Sequence, residues 1–137
     1  MRTPPLRAPI EGLTIYPVRS DDDAAAAIGW LTQGHPIVAV DTETTGLDFH
    51  ADVRLVQFGD QTTAWVMDPH RWRAPIEMLA FSEIPLVAHN APFDMLHLAR
   101  LLEIERDARL DFTTMADSAS ARPTTSCGNI LNREPAW

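Results

Sequence analysis

The sequence predicts a mixed α/β fold, in which a sheet carries helices on both of its faces. One observation is the order of the predicted elements, which is strand, helix, three strands, helix, strand, helix, strand. A second is that residues 37–40 are apolar at successive positions, as is typical of a central strand covered on both sides, and residues 85–89 predict another buried strand. The third is an antiparallel hairpin between them, at residues 53–67.

The first elements follow a lead-in that is rich in Pro and Arg, at residues 1–12, and we expect this segment to be flexible. Residues 13–18 predict a short strand. Ser20 and the three aspartates after it form a suitable N-terminal cap for a helix over residues 24–31. Gly34 ends that helix.

The hairpin consists of residues 53–58 and 63–67, which flank the turn sequence GDQ. A short helix follows at residues 73–81, and residues 92–104 have the strongest helical periodicity in the chain. We expect a last short strand at residues 109–111.

The chain therefore divides into a lead-in, one domain over residues 13–121 and an irregular tail. Residues 122–137, RPTTSCGNILNREPAW after Ala121, have neither helical nor strand periodicity, which predicts a loop or tail.

Composition limits the function classes. The net charge of −8 argues against a broad nucleic-acid-binding surface, but it is compatible with a small acidic site that meets phosphate through bound cations. No apolar run is long enough to span a membrane, and the start lacks the apolar core of a secretory signal. The single cysteine, Cys127, favours a reducing compartment, so we expect a cytoplasmic protein.

Two carboxylates follow the apolar run of the first central strand, in the sequence AVDTETTGLD. Asp41 and Glu43 are two residues apart, so they share one face if the strand continues that far. Carboxylates this close repel each other unless a proton or a cation lies between them, and Mg²⁺ prefers such oxygen ligands. A solvated strand end remains the simpler interpretation of this motif alone.

A third acid follows the second central strand, where HNAPFD leads into the helix over residues 92–104. Asn90 suits the N-cap, Pro92 is tolerated in the first turn, and Asp94 lies near the positive end of the helix, so all three are compatible with capping alone. If the two strands are neighbours, however, Asp94 faces Asp41 and Glu43. Three acids at adjacent strand ends are a plausible two-metal site.

The motif DTETTGL, followed by HNAPFD at residues 89–94, resembles the 3′–5′ exonuclease domain of the DNA polymerase I family. That family belongs to the DEDD exonucleases, and the similarity covers residues 14–118. The resemblance implies a ribonuclease H-like sheet, with three antiparallel strands followed by parallel strands. It also implies proofreading removal of nucleoside monophosphates from the 3′ end of single-stranded DNA, with RNA a less favoured substrate.

The resemblance assigns roles to six residues. Three are metal ligands and catalytic residues for two Mg²⁺ or Mn²⁺ ions: Asp41, Glu43 and Asp94. Three others contact the substrate or support the site: Thr42 near the terminal nucleotide, Leu47 against the 3′-terminal base, and Asn90 beside the third acid. In the implied reaction one metal ion generates hydroxide from water, and the other stabilises the leaving 3′ oxygen.

The sequence departs from the family pattern after the third acid. The family has a fourth carboxylate preceded by Tyr or His, whereas Tyr16 is the only tyrosine here, His97 is the last histidine and Asp117 is the last aspartate. The family also continues with about two more helices, so we expect a partial domain that lacks them. Two alternatives to an active enzyme remain: a module without catalysis that binds a 3′ end or a protein partner, or a chain whose missing helices come from another chain. A polymerase domain is the other expected partner.

Overall fold

The computed structural model describes residues 1–103 and the strand at residues 112–115. The described elements, in chain order, are β1 (Leu6–Arg7), β2 (Thr14–Pro17), α1 (Asp21–Leu31), β3 (Val38–Thr44), β4 (Val53–Gly59), β5 (Thr63–Met67), α2 (Arg73–Phe81), β6 (Leu86–His89), α3 (Ala91–Leu102) and β7 (Phe112–Met115). The predicted strand at 109–111 and the predicted tail at 122–137 lie outside the described residues. No described helix is both long and apolar enough to cross a membrane.

The strands form one sheet in the order β1-β2-β5-β4-β3-β6-β7. The neighbours β5, β4 and β3 are antiparallel, whereas β6 runs parallel to β3 and β7 runs parallel to β6. This confirms the predicted mixed sheet, with three antiparallel strands followed by parallel ones. The carboxyl ends of β3 and β6 consequently point in the same direction, which brings the two acidic motifs to one edge of the sheet.

The two faces of β3 differ. Val38, Val40 and Thr42 are buried, while Ala39, Asp41 and Glu43 alternate with them and are exposed. Because Ala39 is exposed, the prediction that this strand is covered on both sides is wrong for the described part of the chain.

Helices α1 and α3 both reach the buried face of β3. Trp30 of α1 contacts Phe58, which is paired with Val40, and Asp94 of α3 contacts Thr42. Since directly paired residues share a face, both helices pack on the side of the sheet opposite the exposed acids. The Asp41 and Glu43 side chains thus stand clear of the core formed by these helices.

The segment before β2 contacts the domain at two places. β1 pairs with β2 in antiparallel fashion, with Leu6 opposite Ile15. The Thr3 amide and hydroxyl donate to Asp23 at 2.8 and 2.5 Å, and the Arg19 amide donates to the same carboxylate at 3.1 Å. Asp23 therefore joins the lead-in to the first turn of α1.

Because Asp23 stabilises the fold in its charged form, the free energy of unfolding should fall at acidic pH. Its burial would raise the carboxyl pKa, but the hydrogen bonds from Thr3, Ser20 and Arg19 outweigh burial and hold the pKa well below its usual value of 3.8. A depressed pKa contributes stability that is present above the unfolded pKa and is lost as pH falls below it. We expect Asp23→Asn to lower the free energy of unfolding by about 2 kcal/mol at pH 7, and by less at pH 3.

The measurement is urea unfolding of wild type, Asp23→Asn and the control Asp21→Asn at both pH values. Asp21 occupies the same first turn of α1 but is exposed, so its variant should stay close to wild type. An equal loss at pH 3 and pH 7 would show that the charge of Asp23 is not what stabilises the fold.

Candidate active site

The first part of the site is the end of β3. The strand continues to Thr44, past both acids, so Asp41 and Glu43 do share one exposed face. Asp41 is paired with Gln57 of β4, whose Nε2 lies 3.4 Å from Asp41 Oδ2. Among the described residues this is the one side chain within hydrogen-bond distance of either acid. The two carboxylates are therefore accessible to a ligand from solvent.

The second part is the junction between β6 and α3. Asn90 occupies the N-cap position as predicted, but its backbone is left-handed (φ 53°) and its side chain makes no capping hydrogen bond. Its carbonyl oxygen instead accepts the Phe93 amide at 2.9 Å. Asn tolerates this conformation better than most residues, because its short side chain interacts with the local backbone. The sharp turn directs the first turn of α3 towards β3.

Asp94 is held against β3 by Thr42. The Thr42 amide and hydroxyl both donate to Asp94 Oδ1, at 2.9 and 2.6 Å, and Asp94 is only 2% exposed. The partner of Asp94 on β3 is thus the residue between the two predicted ligands. The Thr42 amide and hydroxyl both donate to Asp94. The predicted contact between Thr42 and the substrate stays a prediction.

Electrostatics connect the two parts of the site. Burial is the main cause that raises the pKa of Asp94, and the charge of Asp41 raises it further. The hydrogen bonds from Thr42 and the nearby His97 oppose this shift without cancelling it. Asp94 is therefore a buried carboxyl group whose surroundings disfavour its charged form. Such surroundings are common at functional sites.

These residues fit a hard divalent cation in their chemistry. Carboxylate oxygens are the protein ligands of Mg²⁺, which usually binds one or two of them and completes its shell with water and phosphate. Asp41 and Glu43 supply two accessible carboxylates, and Asp94 is close enough to sense the charge of Asp41. However, no group of three or more His, Cys, Asp and Glu side chains within residues 1–103 is already arranged around one metal position.

Leu47 lies in the loop that follows β3, and its side chain is 92% exposed. Two residues of α3 contact the backbone of this loop, His97 and Arg100. Sequence reasoning did not single them out as functional. Their positions three and six residues after Asp94 could have indicated that they lie on the same side of α3 as Asp94, because residues three or four apart follow one side of a helix.

Comparison with known proteins places these motifs in context. Residues 16–128 match the sequence model of a 3′–5′ exonuclease family. A DNA polymerase of Mycobacterium phage L5 is 33% identical over 135 residues, covering 90% of this chain and 23% of the polymerase. A DNA polymerase of Mycobacterium phage D29 is also 33% identical over 135 residues, covering 86% of this chain and 22% of the polymerase. The chain spans about a quarter of the length of these relatives.

Solved structures show the same fold at low identity. The catalytic core of RRP6 from Trypanosoma brucei has a TM-score of 0.61 at 21% identity, covering 84% of this chain and 32% of that chain. Escherichia coli RNase D, an exoribonuclease involved in structured RNA processing, has a TM-score of 0.57 at 16% identity, covering 73% of this chain and 27% of that chain. These likenesses confirm the predicted ribonuclease H-like fold.

Proposed function

Because the chain belongs to the 3′–5′ exonuclease family of DNA polymerases, we propose that it removes nucleoside monophosphates from the 3′ end of single-stranded DNA. The observation that carries this proposal is the position of the acids. Asp41 and Glu43 are exposed on one face at the end of β3, and Asp94 is held by Thr42, the residue between them, with its pKa raised by burial and by the charge of Asp41. A phosphodiester brought to that edge would meet carboxylates that could hold divalent cations, which would stabilise the charge that develops at the phosphate.

In this proposal Asp41 and Glu43 would hold the cations, and Asp94 would complete the site from α3. Bound Mg²⁺ or Mn²⁺ would supply charge stabilisation at the phosphate and acidify the attacking water. Thr42 keeps the Asp94 carboxylate in place through its two hydrogen bonds. Leu47 packs against the 3′-terminal base, and Asn90 supports the turn before Asp94.

The choice of DNA follows from the sequence relatives, which are phage DNA polymerases. The exoribonuclease among the structural neighbours, Escherichia coli RNase D, is only 16% identical, so it supports the fold rather than the substrate. We therefore propose a proofreading role beside a polymerase domain, with the frayed end of a newly made strand as substrate. An apolar surface that stacks on the last base fits a site with little sequence preference.

A second candidate function is a nucleic-acid-binding module without catalysis. The observation in its favour is that no Tyr or His follows His97 in the sequence, so nothing matches the residue that precedes the fourth carboxylate in the family pattern. Such a module would bind a 3′ end without hydrolysing it.

The experiment follows 5′-labelled single-stranded DNA and RNA of the same sequence with Mg²⁺ or Mn²⁺. We expect the DNA to shorten one nucleotide at a time from its 3′ end, faster than the RNA, and an inverted 3′-terminal nucleotide to block the reaction. Cleavage within the strand, or no digestion by a protein that unfolds cooperatively, would overturn the proposal. DNA binding without digestion would favour the second candidate.

A further inference from the structure

Hydrogen bonds join the two ends of the loop between β3 and β4, residues 45–52. The Thr45 amide donates to the Asp52 carbonyl oxygen at 2.9 Å, and the Asp52 amide donates to Thr45 Oγ1 at 3.0 Å. Inside the loop, the Ala51 amide donates to the Asp48 carbonyl oxygen at 3.1 Å. The 45–52 loop is therefore a compact unit that begins directly after the acids of β3.

Three backbone carbonyl groups of this loop face α3. Arg100 Nη1 donates to the carbonyl oxygens of Phe49 at 2.6 Å and Ala51 at 3.3 Å. His97 Nε2 lies 3.3 Å from the carbonyl oxygen of Asp48. Hydrogen bonds from a charged guanidinium are stronger than neutral ones, so Arg100 is the main attachment of the loop to the helix.

The 45–52 loop also carries two apolar residues that are exposed. Leu47 is 92% exposed and Phe49 is 50% exposed. The guanidinium carbon of Arg100 also lies 5.9 Å from the centre of the Phe49 ring, within the range of a cation–π contact. Arg100 thus contacts both the backbone and the side chain of Phe49, which fixes where this ring stands.

We propose that Arg100 is a positioning residue, which holds the 45–52 loop on α3 so that Leu47 and Phe49 together contact the terminal base. This inference rests on the proposed function, and it adds Phe49 as a second substrate contact. Asp94 lies in the first turn of α3, so one helix places both a carboxylate and the base-binding loop. A loop ordered in advance binds more tightly, because less conformational freedom is lost when the substrate arrives.

The test compares Arg100→Met with a matched control, Arg73→Met. Arg73 is also an exposed arginine that donates to a backbone carbonyl, that of Leu102, but it does not contact the loop. In Arg100→Met we expect the amides of residues 45–52 to exchange hydrogen at least about tenfold faster, because local opening becomes easier. Arg73→Met should leave this exchange unchanged, and Arg100→Lys should restore part of the protection.

Kinetics test the connection to substrate. In Arg100→Met we expect KM for single-stranded DNA to rise about tenfold with kcat unchanged, as loss of binding alone predicts. When Leu47 and Phe49 are both alanine, adding Arg100→Met should change KM no further, because the surface that Arg100 positions is already gone. An Arg100→Met effect that persists in full in that background would overturn the inference.

Failure of this inference is distinguishable from failure of the proposed function. Unchanged exchange in Arg100→Met overturns the inference even if the wild-type protein digests DNA. Absence of digestion by the folded wild type overturns the proposed function, whereas the exchange comparison between Arg100→Met and Arg73→Met still tests whether Arg100 holds the loop. If Arg100→Met loses its cooperative unfolding transition, Arg100→Gln replaces it, since one amide donor should give intermediate exchange and KM.

Discussion

Asp41→Asn is expected to lower the rate of 3′-terminal hydrolysis by about 1000-fold, while leaving the protein folded. A cation held by a carboxylate contributes several kcal/mol to the transition state, and each 1.36 kcal/mol changes the rate about tenfold. Asn keeps the size and one oxygen of Asp but removes the charge that attracts the cation. Because Asp41 is exposed and raises the pKa of Asp94, its removal relieves repulsion and should not lower the melting temperature.

The rate is measured under single-turnover conditions with saturating Mn²⁺ and 3′-labelled single-stranded DNA. Asp68→Asn is the matched control, because Asp68 is an exposed aspartate that follows β5 and accepts the His70 amide. That variant should hydrolyse DNA at the wild-type rate. A wild-type rate in Asp41→Asn would remove Asp41 from the catalytic site.

Gly59→Ala is expected to lower the free energy of unfolding by about 3 kcal/mol or more. Gly59 ends β4, between Ala39 of β3 and Ala64 of β5. A Cβ atom there would stand 2.0 Å from the Thr63 carbonyl oxygen and 2.9 Å from Ala64 Cα, and both are backbone atoms. Neither can move without displacing β5, so the hairpin would lose its register.

Urea unfolding followed by circular dichroism measures this effect, with Gly29→Ala as the control. Gly29 lies inside α1 and nothing stands within 4 Å of a Cβ atom added there. Alanine at that position should stabilise the protein by about 0.5–1 kcal/mol. Equal midpoints for Gly59→Ala and wild type would show that the backbone around Gly59 adapts at little cost.

The elements with strong periodicity were predictable from the sequence. The hairpin, α2 and α3 lie within a residue or two of their predicted bounds, because their apolar spacing also decides which face is buried. The shared face of Asp41 and Glu43 was also predictable. β3 continues to Thr44, and residues two apart on a strand point to the same side.

Features that depend on distant contacts were not predictable. The sequence around Gly59 indicated a turn, whereas the structure makes this glycine a point of close backbone approach between β4 and β5. The attachment of the 45–52 loop to Arg100 joins residues about fifty positions apart, and its acceptors are backbone carbonyls, which leave no side-chain pattern. The sequence indicated that Asn90 is an N-cap residue. Its left-handed conformation was not predictable, because it depends on the direction in which α3 approaches β3.

The acids at the end of β3 are expected to bind a divalent cation that hydrolysis requires. The most direct test is Mn²⁺ titration followed by electron paramagnetic resonance, comparing wild type with the double variant Asp41→Asn, Glu43→Gln. Wild type should remove the signal of free Mn²⁺ in a saturable way, and the double variant should not. Equal Mn²⁺ binding by both proteins, or none by the folded wild type, would contradict it.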